Sequence, residues 1–135
     1  WNAADRVDFI LGQHTQFSGK PKFDAVLSIL VTHFVPFEQK LEFMQGARQC
    51  LNAEGIFMTF DLMQFKSELE AGALKQICEL NGLSEKQTQA MLHRMRDDFF
   101  ALNDLQTLEH LQQAGFSKAE RFSQVLCYQG FIAHG

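Results

Sequence analysis

His33 is the residue in this chain best suited to proton chemistry. An unperturbed imidazole titrates near neutrality, so it can take a proton from an acceptor as a general base. It closes the stretch Ser28–His33, directly after the apolar run Phe23–Ile29. Thr32 beside it adds a hydroxyl that can donate or accept. The alternative for His33 is a solvent-facing or helix-capping histidine. Asp61 ends a second apolar run, where it either reaches the same crevice or caps the helix that follows; the cap is the preferred reading. Arg94, Arg96, Asp97 and Asp98 form a mixed-charge cluster that either binds an acceptor or forms a solvated helix face with i,i+3 pairs; the solvated face is the preferred reading. His93, His110 and His134 lack ligand-like spacing, and Cys50, Cys78 and Cys127 are odd in number with no CxxC pair, so no metal is expected.

These residues must be positioned by the stretch Phe23–Leu62, which reads as strand, helix, strand. Phe23–Ile29 is apolar without alternation, as expected of a parallel strand buried on both faces. Pro36 opens a helical pattern with Phe37, Leu41, Met44, Ala47 and Leu51 on one stripe. Asn52–Gly55 breaks it, and Ile56–Phe60 forms the second strand. A crossover of this length joins parallel neighbours.

Around this unit, Val7–Leu11 predicts a strand closed by Gly12, and Ser18–Pro21 a turn. Downstream, Phe65, Leu69, Ala73, Ile77 and Leu80 recur at helical spacing and stop at Asn81-Gly82. Ser84–Gln87 has the S-x-x-Q form of a capping box; the helix it opens carries Met91, Leu92, Met95 and Phe99, with the methionines read as core. Asn103 or Asp104 caps a last helix with Leu105, Leu108, Leu111 and Ala114 inward, ended by Gly115. Ala119–Val125 and Gly130–Ala133 predict an antiparallel pair of strands. The helices over 64–99 read as an insertion, either a lid over the ligand crevice or extra packing on the edge.

Composition sets the outer limits. With 135 residues, 46% hydrophobic and 21% charged, the chain is an ordinary globular domain. A net charge of −4 argues against a nucleic-acid-binding surface. No apolar run approaches the roughly 20 residues that span a bilayer, so no membrane partner is expected. Scattered, reduced cysteines fit a cytoplasmic protein.

The run Val7–Gly12, then Phe23-Asp24-Ala25-Val26-Leu27-Ser28-Ile29, then Leu51-Asn52-Ala53-Glu54-Gly55 with Ile56–Leu62, resembles the second half of class I S-adenosylmethionine-dependent methyltransferases. Leu108–Phe116 resembles the family's A-G-F segment, and Gly130–Ala133 its closing strand. The resemblance implies an α/β fold: the C-terminal part of a doubly wound, Rossmann-like sheet with a terminal antiparallel hairpin. It also implies S-adenosylmethionine as cofactor, near Gly12, Gln13, His14, Ser28 and Ile29, and an acceptor site at Thr32 and His33. Gln13 stands where the family usually has an aspartate. The family's glycine-rich turn and upstream acidic strand end are absent, so the expectation is a single partial domain over 1–135, itself an inactive fragment of a longer enzyme. The acceptor is expected to be a small molecule or a modified nucleotide. The 64–99 helices and the tail look most like carboxy-S-adenosylmethionine synthases, but Gln87 occupies the place of their carboxylate-binding arginine, which favours a plain methyltransferase. Other readings are a non-catalytic methyltransferase-like partner subunit and, more remotely, a nucleotide-dependent reductase. Lacking its family neighbour, the strand Phe23–Ile29 is expected to form a homodimer or strand-swapped pair through its open edge, or to have Val7–Leu11 repacked against it.

Overall fold

In the computed structural model the structure describes residues 7, 9–12 and 23–135. Among these, four strands form one sheet in the order β1-β2-β4-β3. β1 (Phe23–Ile29) runs parallel to β2 (Leu51–Leu62), with Ser28 opposite Thr59 and Ile29 opposite Phe60. β4 (Tyr128–His134) is antiparallel to both β2 and β3 (Lys118–Val125). The crossover from β1 to β2 is a pair of 3₁₀ turns, Thr32–Phe34 and Phe37–Gln39, and then α1 (Lys40–Gln49). Pro36 therefore starts a 3₁₀ turn, and the α-helix begins four residues later.

β2 also begins earlier than its turn-like sequence suggests. Asn52–Gly55 stays in the strand because the ladder absorbs it as an irregularity between the Phe23 and Ala25 pairings. Within β2, Phe57, Thr59 and Asp61 are buried on one face and Ile56, Met58 and Phe60 half-buried on the other. The buried face packs under α1 and α4 (Asp104–Gln113), where Met44, Ala47, Leu111 and Ala114 join Phe57, Phe116 and Phe131. The Phe57 and Phe116 rings stack at 5.5 Å.

β1 is not buried on both faces. Leu27 and Ile29 are 62% and 61% exposed, because among the described residues nothing covers their face or pairs with the outer edge. The expected strand Val7–Leu11 is likewise corrected: Val7 and residues 9–11 are exposed and lie outside the sheet. A single strand has no hydrogen-bond partners of its own, and the sheet offers this segment no ladder. The predicted turn at Ser18–Pro21 lies outside the described residues.

A second apolar cluster sits at the carboxyl end of β2. Leu62, Leu74, Met95, Ala101 and Cys127 join α2 (Glu68–Leu80) and α3 (Glu85–His93) to the β3–β4 turn. The face of α2 differs from the expected one. Ala71 and Leu74 are inward, whereas Leu69, Ile77 and Leu80 face solvent. Helical spacing identifies a stripe on each side here, and only the one opposite Leu62 and Met95 finds neighbours. On α4, Leu105 is exposed for the same reason while Leu108 and Leu111 pack inward.

The caps follow the sequence. Ser84 and Gln87 form both halves of a capping box, as do Asn103 and Gln106. Gly82 and Gly115 adopt φ of +100° and +93° just past α2 and α4, the left-handed turn that glycine takes without strain. Past α3 the chain continues as a π-helix, Arg94–Asp98.

Candidate functional site

Asp61 is the centre of the candidate site. It ends the buried face of β2 and is only 2% exposed. One carboxylate oxygen accepts from the Thr32 amide and the Thr32 hydroxyl. The other receives His33 Nδ1 and the Leu62 amide, the latter at 2.8 Å. The acid therefore does not cap the next helix, whose N-cap is Ser67. It caps the Thr32–Phe34 turn instead, because β1 and β2 are parallel neighbours and their carboxyl ends meet.

Lys40 completes the group. Its ammonium donates to the Thr32 carbonyl at 2.6 Å, and the residue is 1% exposed. Burial pulls its pKa down to about 8, against the pull of the Asp61 carboxylate in the other direction. Sequence reasoning missed this residue. The signal was present, since Lys40 falls in line with Met44 and Ala47 on the inward stripe of α1.

His33 is buried, 5% exposed, with its ring in an aromatic setting. Phe34 lies 4.0 Å and Phe99 4.8 Å away, centroid to centroid. Its carbonyl accepts from the Phe100 amide at 2.8 Å. Asp61 accepting at Nδ1 leaves the lone pair on Nε2, the tautomer a general base needs. Beside the ring lies a cavity of about 540 Å³ lined by Leu30, His33, Phe34, Leu62, Met91, Met95, Phe99 and Tyr128, among others. That volume falls within the roughly 300–1,000 Å³ of small-molecule sites. Its rim includes Leu30, a leucine at φ +55°. Left-handed backbone at a bulky residue is strained, and such strain collects at functional sites. The π-helix Arg94–Asp98 forms part of the opposite wall.

The expected site residues divide. Thr32 and His33 are brought together with Asp61, but Thr32 commits both amide and hydroxyl to that acid. Ser28 is buried one turn of chain earlier, lining a cleft of about 430 Å³ between β1 and α1, and its hydroxyl has no partner. Ile29 and Gly12 are exposed. Gln13 and His14 lie outside the described residues. Gln87 lines the cavity, its amide oxygen receiving the Ser84 amide and hydroxyl at 2.9 Å each. Of the charged cluster, Arg94 stands over the Phe99 ring at 5.3 Å and Arg96 pairs with Glu68 at 2.8 Å. Met91 and Met95 serve both the apolar cluster and the cavity wall. Among the described residues no group of three or more acids, histidines and cysteines could hold a metal, and no helix is long and apolar enough to cross a membrane.

No family model and no curated protein matches this sequence. Solved structures do match. An O-methyltransferase family protein from Burkholderia thailandensis aligns at TM-score 0.66 and 13% identity, over 96% of this chain and 36% of that one. PigF, solved with SAH, aligns at 0.67 and 14%, over 99% and 37%. The S-adenosylmethionine-dependent methyltransferase SibL in its apo form aligns at 0.66 and 13%, over 98% and 37%. The chain thus spans less than two-fifths of the length of each of these structures. Its parallel pair, crossover helix and terminal antiparallel hairpin share the fold of part of these methyltransferase structures.

Proposed function

We propose that this chain forms the acceptor side of an S-adenosylmethionine-dependent methyltransferase acting on a small molecule, with His33 as general base. The observation that carries this reading is the buried His33–Asp61 pair, at the carboxyl ends of two parallel strands and open to a small-molecule cavity. Open α/β sheets bind ligands at that end. Asp61 orients the imidazole and balances the charge it acquires; Nε2 holds the proton that the acceptor gives up. Thr32 acts through Asp61 and Lys40 through the Thr32 carbonyl, together fixing the turn on which His33 stands.

The buried, unpartnered Ser28 hydroxyl fits a polar ligand group at the end of β1. Ser28 and Ile29 are the residues of this region that would hold the cofactor, with Gly12, Gln13 and His14 assigned to its adenine end by resemblance. When bound, S-adenosylmethionine supplies an activated methyl carbon on a sulfonium, whose departing bond leaves its electron pair on sulfur. The walls of the crevice exclude water, and the helices over 64–99 serve as its lid. Gln87 offers a neutral amide, already engaged with Ser84, in place of a carboxylate-binding guanidinium; this supports plain methyl transfer over a carboxylated cofactor.

A second copy, pairing with the open edge of β1, is the proposed partner of this chain. The exposed apolar side chains of Leu27 and Ile29 favour that assembly. They favour equally the reading of a methyltransferase-like partner subunit.

The test uses the full-length protein. Cofactor binding is followed by calorimetry and methyl transfer from labelled S-adenosylmethionine by product counting. His33→Gln is expected to lower kcat by about 10²–10⁴ while leaving the cofactor Kd within about twofold. Full activity in His33→Gln removes the base, and failure of the full-length protein to bind S-adenosylmethionine removes the reading.

A further inference from the structure

Lys40 breaks two local rules. It is the first residue of α1, at the positive end of the helix dipole, where an acid is favoured over a base. It is also 1% exposed, and its ammonium, with three donors, makes one hydrogen bond among the described residues, to the Thr32 carbonyl at 2.6 Å. The Phe37 ring, 5.6 Å away, adds a weak attraction. The same carbonyl receives the Val35 amide at 3.0 Å, so the turn needs no cation to satisfy it. A buried charge so sparsely bonded calls for a charge of opposite sign. Asp61 is the acid whose field acts on it. The two are linked across one residue: Lys40 holds the Thr32 carbonyl, and Asp61 the Thr32 amide and hydroxyl. Lys40 keeps its charge at neutral pH, since burial lowers its pKa only to about 8.

The same carboxylate holds His33 at Nδ1. An imidazole that is the only cation within reach of a buried carboxylate is drawn toward imidazolium, which has no lone pair at Nε2 to take a proton. With Lys40 in place the carboxylate is already balanced. A proton on His33 then brings a second positive charge into the same enclosed space. The other ionisable groups facing His33 do not supply this balance. Arg94, on the π-helix, lines the cavity, but its side chain is 62% exposed, with Asp98 at 4.0 Å, so solvent screens its charge. Tyr128, on β4, is a phenol whose pKa burial raises further, so it is uncharged near neutrality.

We propose that Lys40 is a positioning residue of the base: its ammonium balances the Asp61 carboxylate, so that Asp61 fixes the tautomer of His33 without fixing a proton on it. The role rests on the methyl-transfer reading for its purpose, and on the Lys40–Thr32–Asp61–His33 arrangement for its physics.

The experiment is an NMR titration of the labelled His33 ring in the full-length protein, without cofactor, between about pH 5 and pH 8. In Lys40→Met the midpoint is expected about one pH unit above that of the wild type, a tenfold gain in proton affinity. Lys40→Arg keeps the charge and is expected to bring the midpoint back toward the wild type. Lys40→Gln keeps a donor for the Thr32 carbonyl but not the charge. It is expected to behave like the methionine variant, and it carries the test if that variant fails to fold. The acidic limb of kcat/KM should move by the same amount as the NMR midpoint. A midpoint that stays in place in both neutral variants, that glutamine alone restores, or that rises equally with arginine overturns the assignment. Methyl transfer that needs His33 beside an unmoved midpoint removes this role of Lys40 and leaves the base standing. A raised midpoint in a protein that transfers no methyl group keeps the charge balance and removes the methyl-transfer reading.

Discussion

Asp61 receives the Thr32 amide on one oxygen and His33 Nδ1 on the other, so a single buried carboxylate fixes two consecutive residues of the turn after β1. The Leu62 amide and the Thr32 hydroxyl use the same two oxygens. Removing the acid strands four donors and leaves the nearby Lys40 charge uncompensated. Asp61→Ala is therefore expected to cost about 3–5 kcal/mol of unfolding free energy at pH 7. Asp61→Asn keeps an acceptor for the Thr32 donors and should cost less, yet it disorders the His33 tautomer. Urea unfolding measures the first effect, and the ring-nitrogen NMR shifts of His33, which report its tautomer, the second. A cost below about 1 kcal/mol for the alanine variant would show that water replaces the carboxylate without difficulty.

Lys40 makes stability depend on pH in a particular direction. Its pKa falls to about 8 in the folded chain, mainly through burial, from an ordinary 10.5. Below pH 8 both states hold the proton, and the folded state bears the whole cost of burying the charge. Between about 8 and 10.5 the unfolded chain binds more protons than the folded one, so stability rises with pH. The gain is bounded at about 3 kcal/mol for a shift of this size. The check is to compare unfolding at pH 7.5 and pH 10 in the wild type and in Lys40→Met. The methionine variant should lack the rise; a wild-type curve that falls between these pH values contradicts the assignment.

How far the sequence could be read follows from what each feature depends on. Caps and stops are local, so Ser84, Asn103, Gly82 and Gly115 announce themselves by type and spacing. The parallel pair and the terminal hairpin follow from apolar runs and connection lengths. The His33–Asp61 pairing is different, because it exists only once β1 and β2 lie side by side, 28 residues apart in the chain. His33 and Asp61 each stood out alone as polar residues at strand ends, but periodicity carries no term for which strands adjoin. The inward face of α2 failed for a related reason. Its two opposite stripes are both apolar, and the choice between them belongs to Leu62 and Met95, not to α2. Val7–Leu11 has strand-like residues, but strand structure requires a neighbour.

Gly130 marks the tightest place in the sheet. A Cβ there would stand 2.6 Å from Phe122 Cζ and 2.7 Å from Ser123 Oγ, at the irregularity between β3 and β4. Phe122 is half-exposed and can swing outward, so the strain is relieved at the cost of its packing. Gly130→Ala is expected to destabilise by about 1–3 kcal/mol. In a Phe122→Ala background the same change should cost clearly less, since the ring that it displaces is gone. Additive losses in the double variant would place the conflict at Ser123 or in the backbone.

The open edge of β1 bears on how this chain behaves in solution. Phe23 is 44% exposed, and Leu27 and Ile29 more so, beside a strand edge that nothing pairs among the described residues. An apolar edge with free backbone donors and acceptors recruits another strand, most readily the same edge of a second copy. Sedimentation at increasing protein concentration is expected to show a dimer. Leu27→Lys with Ile29→Lys puts two like charges at the edge, and opposite the same pair of a second copy they repel as well. The double variant should shift the equilibrium toward monomer while keeping the fold, because both side chains already face solvent. Amide exchange gives the independent reading: in the wild type the β1 amides should gain protection as concentration rises, and in the variant they should not. A wild-type chain that stays monomeric with unprotected β1 amides at every concentration leaves the edge open and removes the dimer.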